Sequence, residues 1–331
     1  MSAINSHFAH FPLPDSGIAE LTYLRVFRVS GPGTDTFLQG QFSQNLAEVT
    51  SGHAPRAAAS NPKGRTYLLT RMVREGADVL LAIPDSIADH ACAQLNKYLM
   101  LFRGTTMTPA PDYRIFGLLG SDATEALTGS TDGLNQPCDV LQLDDNRHLI
   151  RTESTATGLI RHELWGRPVD STDGHHRAGT ITESDWLASE IAAGVASLSP
   201  ETIESYVPQM LNWQHLNGVH FKKGCYTGQE VIARMHYLGQ LKKSLFRLAC
   251  PPGSPVAQPG TVIVANERQA GEVINAAAYS DGHQELLAVL RHDTVAGPLQ
   301  LGDSNGPALM IDTLPYPVPE QDAAEPAPKD T

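Results

Sequence analysis

Cys225 lies in the stretch of the chain richest in groups that can do chemistry, Lys222-Lys223-Gly224-Cys225-Tyr226-Thr227-Gly228-Gln229-Glu230, which runs on into Val231-Ile232-Ala233-Arg234. A thiolate is favoured by nearby ammonium groups and by the positive end of a helix. Two lysines precede the cysteine, and Thr227 followed three residues later by Glu230 has the form of a capping box. That pattern predicts a helix capped by Thr227 and stapled by Tyr226 and Val231, with Cys225 just outside its N-terminus. The expected chemistry is that of a conditioned thiol, redox-active or nucleophilic, with Lys223 as its partner.

Six cations, Lys222, Lys223, Arg234, Lys242, Lys243 and Arg247, face the single acid Glu230 between residues 222 and 247, on a chain whose net charge is −12. The overall charge argues against a general nucleic-acid coat, whereas the local excess suits a landing site for an anion. His215, His220 and Cys225 are evenly spaced, but they match no common zinc spacing and lack a fourth ligand, so no metal is expected. The four cysteines form no C-x-x-C pair and no secreted disulfide framework. No apolar run approaches a membrane span and the first residues lack a signal core, so the expectation is a cytoplasmic protein.

With 331 residues the chain can bury a proper core. Residues 1–20 read as a flexible lead-in. Alternation predicts a strand over Leu21–Ser30, a short helix at Thr36–Leu38 capped by Thr34 or Asp35, and a hairpin of Arg65–Arg74 with Val79–Ile83. A helix follows from Asp85 or Ser86 to Met100. A second succession begins at Arg114, with strands at 114–119, 140–143, 148–150 and 159–164 and a short helix near 123–127. Ser184 is read as the cap of a helix through Ala193. Short strands separated by turns after Gly239 indicate a small β-barrel over 241–316, and the proline-rich, acidic residues 317–331 read as a disordered tail. The fold class is α+β: a body over 21–240 made of two αβ subdomains, about 21–110 and 111–240, plus the barrel.

At Lys223–Glu230 the chain resembles the YgfZ family of folate-binding proteins, relatives of the glycine cleavage T-protein. Ser30-Gly31 with Phe37–Gln41, the Lys63-Gly64 turn, Trp186-Leu187-Ala188 with Ala193-Gly194, Val207-Pro208-Gln209 with Asn212, and Leu314-Pro315-Tyr316 agree in order and spacing. The resemblance covers about residues 20–317. It implies a three-part ring-shaped body with a tetrahydrofolate pocket at its centre and a barrel beside it. It further implies support of iron–sulfur enzymes, notably those that methylthiolate transfer RNA, with transfer RNA itself involved indirectly. The family's functional positions fall on Lys223 and Cys225, and a folate-contacting tryptophan falls on Trp186, with Glu190, Tyr226 and Arg234 as the further cofactor contacts.

Departures from the T-protein pattern bear on turnover. The acidic pair that T-proteins carry after the turn aligns with Leu68 and Leu69, and hydrocarbon cannot stabilise an iminium. The pterin-gripping glutamate aligns with Ala192, which leaves Glu190 to reach in. A tryptophan of the first strand is replaced by Leu24. Three readings follow: a folate-binding accessory factor with a working thiol, a folate-dependent aminomethyl- or methyltransferase, and a module that docks RNA or protein through 222–247.

Overall fold

The computed structural model describes residues 8–143, 147–166 and 179–318. Residues 1–7 of the expected lead-in and 319–331 of the expected tail lie outside them. Residues 8–20 are built into the fold, which corrects the reading of that stretch as free chain. Ala9 is buried and bridges Tyr279, the His10 ring lies 2.9 Å from the buried Asp185, and β1 (Gly17–Glu20) is an edge strand.

Two five-stranded antiparallel sheets make the body. The first, ordered β3-β4-β5-β2-β6, consists of β2 (Leu24–Ser30), β3 (Arg56–Ser60), β4 (Thr66–Glu75), β5 (Asp78–Pro84) and β6 (Thr106–Pro109). The second, ordered β1-β7-β10-β9-β8, adds β7 (Arg114–Leu119), β8 (Val140–Gln142), β9 (His148–Thr152) and β10 (Arg161–Gly166). The chain thus starts in the second sheet, builds the first and returns, which ties the two subdomains together.

Strand periodicity decides what each face meets. On β5, Val79, Leu81 and Ile83 pack in one core with Ile87, Ala91 and Leu95 of helix α2 (Asp85–Leu99), while Leu80 and Ala82 join the other core with Ile115, Ile150 and Trp165 of the second sheet. Both faces of the first sheet are therefore covered, and eight of the ten β4 residues are buried. Helix α1 (Thr34–Gln41) packs on the same side as α2, and α3 (Ser121–Thr128) covers the far face of β7.

Helix α4 (Glu183–Ala192) is capped by Thr182, two residues before the expected Ser184. Thr182 accepts from the Asp185 amide while the Asp185 carboxylate accepts from the Thr182 amide, a reciprocal box. Beyond it, two 3-10 turns flank Asn212, and α5 (Gln229–Tyr237) leads to the barrel. The barrel is closed in the order β11-β14-β13-β12-β15-β16, from β11 (Lys243–Cys250), β12 (Val262–Ala265), β13 (Arg268–Ala278), β14 (Gln284–Arg291), β15 (Leu299–Leu301) and β16 (Ala308–Asp312). Its interior holds Leu248, Ile263, Val273, Leu286, Leu290 and Leu301. No helix among the described residues is long and apolar enough to cross a membrane.

Candidate functional site

The inner faces of the two sheets are not uniformly apolar. On β4 the inward parity carries Leu69, Arg71 and Val73, and on β10 it carries Arg161, Glu163 and Trp165. Burial of charge is tolerated only where partners replace water, and here they do. Arg56 Nη2 donates to Glu153 Oε2 at 2.7 Å and to Thr152 Oγ1 at 3.0 Å. Arg71 Nε donates to Glu163 Oε2 at 3.1 Å, an oxygen that also accepts from Trp165 Nε1 at 2.9 Å. Burial pushes the Glu153 and Glu163 carboxyls up, but the guanidinium groups outweigh it: Arg56 leads for Glu153, which is held well below the usual carboxylate range, and Arg71 for Glu163, which is lowered too.

This network walls a cavity of about 70 Å³ whose lining includes all three tryptophans of the chain, Trp165, Trp186 and Trp213, together with Leu69 and Glu190. Trp213 is 1% exposed and its Nε1 has no hydrogen-bond partner among the described residues. A second cavity of about 390 Å³ adjoins it between α4 and the barrel, and Tyr23, Glu190, Val195 and Ser197 line both. The outer space is of the size that small-molecule sites occupy, whereas the inner one holds little more than ordered water. Glu190 pairs with Arg161, whose Nε also donates to Ser189 at 2.9 Å. Burial, and then the charges of Glu190 and Glu163, raise the Tyr23 hydroxyl well above its ordinary value, so it is neutral at pH 7.

Trp186 reaches this site, though not as an open stacking platform. A Cβ on Gly117 would lie 2.4 Å from its ring carbons, and the Arg161 guanidinium sits over the ring at 4.3 Å. Stacking a ligand on Trp186 therefore requires Arg161 to move.

The motif around Cys225 is built differently from its sequence reading. The cap of α5 is Gly228 at φ 83°, with no side-chain cap, and Thr227 instead turns toward α1: its amide donates to Gly40 O at 3.0 Å and its hydroxyl to Gln41 Oε1 at 3.2 Å. The helix start is seated by glycines. A Cβ on Gly228 would lie 2.6 Å from Asn61 O, and one on Gly64 would lie 2.8 Å from Val231 Cβ, so the Asn61–Gly64 turn and α5 touch backbone to backbone.

Lys223 is 8% exposed, and its ammonium donates to Gln39 O at 2.7 Å, Phe42 O at 2.6 Å and Gln44 O at 2.8 Å, with Nζ 4.8 Å from the Tyr226 ring centre. An ammonium has three protons, and all three are engaged. Burial pushes its pKa down to about 7. The expected pairing of Lys223 with the thiol is thus corrected: Lys223 clamps the loop that follows α1, while Cys225 is exposed and free of disulfide.

Trp186 and Glu190 are brought together at the inner cavity, Glu190 alone of the two also reaches the outer one, and neither Cys225, Lys223, Tyr226 nor Arg234 lines either cavity. Tyr226 is buried in the main core and Arg234 is exposed. A covalent and hydrogen-bonded link nonetheless joins the two regions. Lys223 holds Gln44 O, the Gln44 amide donates to Arg56 O at 3.1 Å, and Arg56 lines the inner cavity. The residues missed from sequence are Arg56, Arg71, Glu153, Arg161, Glu163, Trp213 and Tyr23. Their signal was charge at inward strand parity, as in Arg161-His162-Glu163-Leu164-Trp165, where an apolar face is otherwise expected.

No family model matches the chain. It is 28% identical over 309 residues to the tRNA-modifying protein YgfZ of Cronobacter sakazakii, covering 88% of this chain and 90% of that protein. The proteins of the same name from Colwellia psychrerythraea and Yersinia pseudotuberculosis are 26% and 29% identical over 318 and 308 residues, covering 92% and 88% of this chain and 94% and 90% of theirs. The glycine cleavage system aminomethyltransferase T of Bartonella henselae superposes with a TM-score of 0.69 at 16% identity, covering 94% of this chain and 87% of that one. By sequence, then, the chain is similar along nearly its whole length to proteins named tRNA-modifying protein YgfZ, and its fold is that of a glycine cleavage aminomethyltransferase.

Proposed function

We propose that this chain acts in tRNA modification as a folate-binding accessory protein that supports iron–sulfur enzymes such as those that methylthiolate tRNA, with Cys225 as its working thiol. The observation that carries the folate part is the 390 Å³ cavity that ends on Glu190 and adjoins a space holding an unpaired indole N–H. These groups suit a reduced folate: the Glu190 carboxylate accepts from the amino and ring N–H groups of a pterin, the neutral Tyr23 hydroxyl serves either way, and an ordered water in the inner space bridges to Trp213 Nε1. Bound there, a reduced folate supplies one-carbon chemistry. The protein's own part is to orient it with Glu190, which Arg161 holds in place.

Cys225 suits thiol exchange or a transient bond to a sulfur-bearing partner because it is exposed and borne on a loop that Lys223 and Thr227 pin to α1. The transferase reading is disfavoured by Leu68 and Leu69. Both are buried and Leu69 lines the inner cavity, so hydrocarbon stands where the chemistry needs a carboxylate.

All three tryptophans border the inner cavity, so intrinsic fluorescence reports on it. Titration with tetrahydrofolate is expected to give a saturable change that Glu190→Gln weakens about tenfold, roughly the worth of one charge-assisted hydrogen bond. A wild-type protein whose fluorescence does not respond removes the folate assignment.

A further inference from the structure

Around the outer end of α5 the surface combines rings and cations in a way the folate cavity and the thiol do not use. Phe221 and the His236 imidazole stack with centroids 3.6 Å apart and planes within 8°, and Tyr237 meets His236 edge-on at 4.6 Å. Tyr237 is 61% exposed and Leu238 84%. Phe221 packs on the main core, so the rings are held in place while the outermost of them stays open to solvent.

Lys222 directly follows Phe221, Arg234 precedes Tyr237 by one helical turn, and Lys242 lies on the segment between α5 and β11, all exposed and without an ion pair among the described residues. Lys63, also exposed, projects from the turn on which α5 is seated. Lys243 is half-buried, and Arg247 is spent on Glu285 and Asp312, so neither adds to the surface. The single nearby acid of the helix is Glu230.

We propose that this face binds single-stranded RNA directly, with a base stacking on the Tyr237 ring, which His236 and Phe221 back, and phosphates meeting Lys222, Arg234 and Lys242. Charge alone would suit an acidic peptide equally. Exposed, mutually ordered rings among the cations favour a ligand that alternates flat bases with phosphates, since every base has a stacking face. The nine residues of α5 span about 13 Å, room for two or three nucleotides. The proposal rests on the tRNA-modification reading only for its biological setting, because the surface is separate from the folate cavity.

The test is fluorescence anisotropy of the full chain with a fluorescein-labelled oligoadenylate of about ten nucleotides, at several salt concentrations. Saturable binding is expected, with log affinity falling against log salt at a slope near −2, as about three phosphate contacts require for a single strand. Tyr237→Ala is expected to weaken it about tenfold and Tyr237→Phe to leave it intact, while Lys222→Ala with Lys242→Ala flattens the slope. Melting temperature checks that the surface variants fold, and tetrahydrofolate titration of the same samples separates loss of this surface from failure of the folate assignment. Absence of saturable binding at low salt overturns the proposal. So does equal competition by poly-glutamate with no effect of Tyr237→Ala, which would instead mark an acidic protein partner.

Discussion

Lys223→Met separates a structural lysine from a chemical one. The substitution keeps the apolar stem and removes the ammonium, leaving the carbonyls of Gln39, Phe42 and Gln44 without the donor that now serves all three. A buried acceptor stripped of its partner costs roughly 1–3 kcal/mol, so three set a ceiling of about 6 kcal/mol at mid-range. Removing a desolvated charge, whose pKa burial has already driven to about 7, offsets part of that, as does water admitted to the cage. The expected net loss is about 3 kcal/mol, or roughly 6–12 °C in melting temperature for a body of this size. Arginine should not rescue, because a planar guanidinium cannot point three donors at carbonyls arranged for an ammonium. Thermal melts of the full chain give the first readout. The second is amide exchange, which should rise over residues 39–45 and 222–228 in Lys223→Met alone. A Lys223→Met protein that melts and exchanges like wild type, yet fails to support tRNA methylthiolation in cells, would refute the clamp and return Lys223 to a direct chemical role.

Cys225→Ala should leave the melting temperature almost unchanged, within the roughly 0.5 kcal/mol of an exposed substitution, while abolishing complementation of a strain lacking the protein; full complementation would remove the thiol from the mechanism. Gly117→Ala should destabilise by about 1–3 kcal/mol and perturb tryptophan fluorescence, because its methyl group collides with the Trp186 ring; an unchanged spectrum would mean that the indole is not held against β7. Stability should also fall in two stages with acid. Burial, helped by Arg151, lowers the His162 pKa from 6.5 to about 4, so the unfolded chain takes up the proton first and stability declines between those values, a leg that His162→Asn should reduce and not erase, because burial also lowers His148, His215 and His292. Glu153 and Glu163, depressed below their ordinary 4.5, contribute stability that is complete above that pH and is lost as pH falls through their folded values. A melting temperature that stays level from pH 6.5 to 4 would contradict the first stage.

Local pattern carried far where the elements are regular. The hairpin of β4 and β5, the strand over Arg114–Leu119 and the barrel strands after Gly239 follow from alternation and turn residues alone, since each strand shows one face to a core and its ends are punctuated by glycine, proline and asparagine. β3 escaped because Arg-Ala-Ala-Ala-Ser has no alternation to read: it is buried on both faces and its small side chains admit close neighbours. β1 escaped because a four-residue edge strand takes its stability from β7, nearly a hundred residues away.

At the site, residue types alone were enough to single out Cys225 beside Lys222 and Lys223, because unusual chemistry is visible in a string of letters, whereas Trp186 and Glu190 came from the resemblance to a known family. Which way each side chain points was decided only in three dimensions. The Thr227–Glu230 spacing fits a cap, but α1 supplies Thr227 with better acceptors, and the end of α1 with the loop after it offers Lys223 three carbonyls that a neighbouring thiol cannot match. The Arg–Glu network belongs wholly to the tertiary structure: a buried charge is tolerable only beside its counter-charge, and Arg56 and Glu153 are neighbours solely because two sheets, formed from distant segments, close on one another.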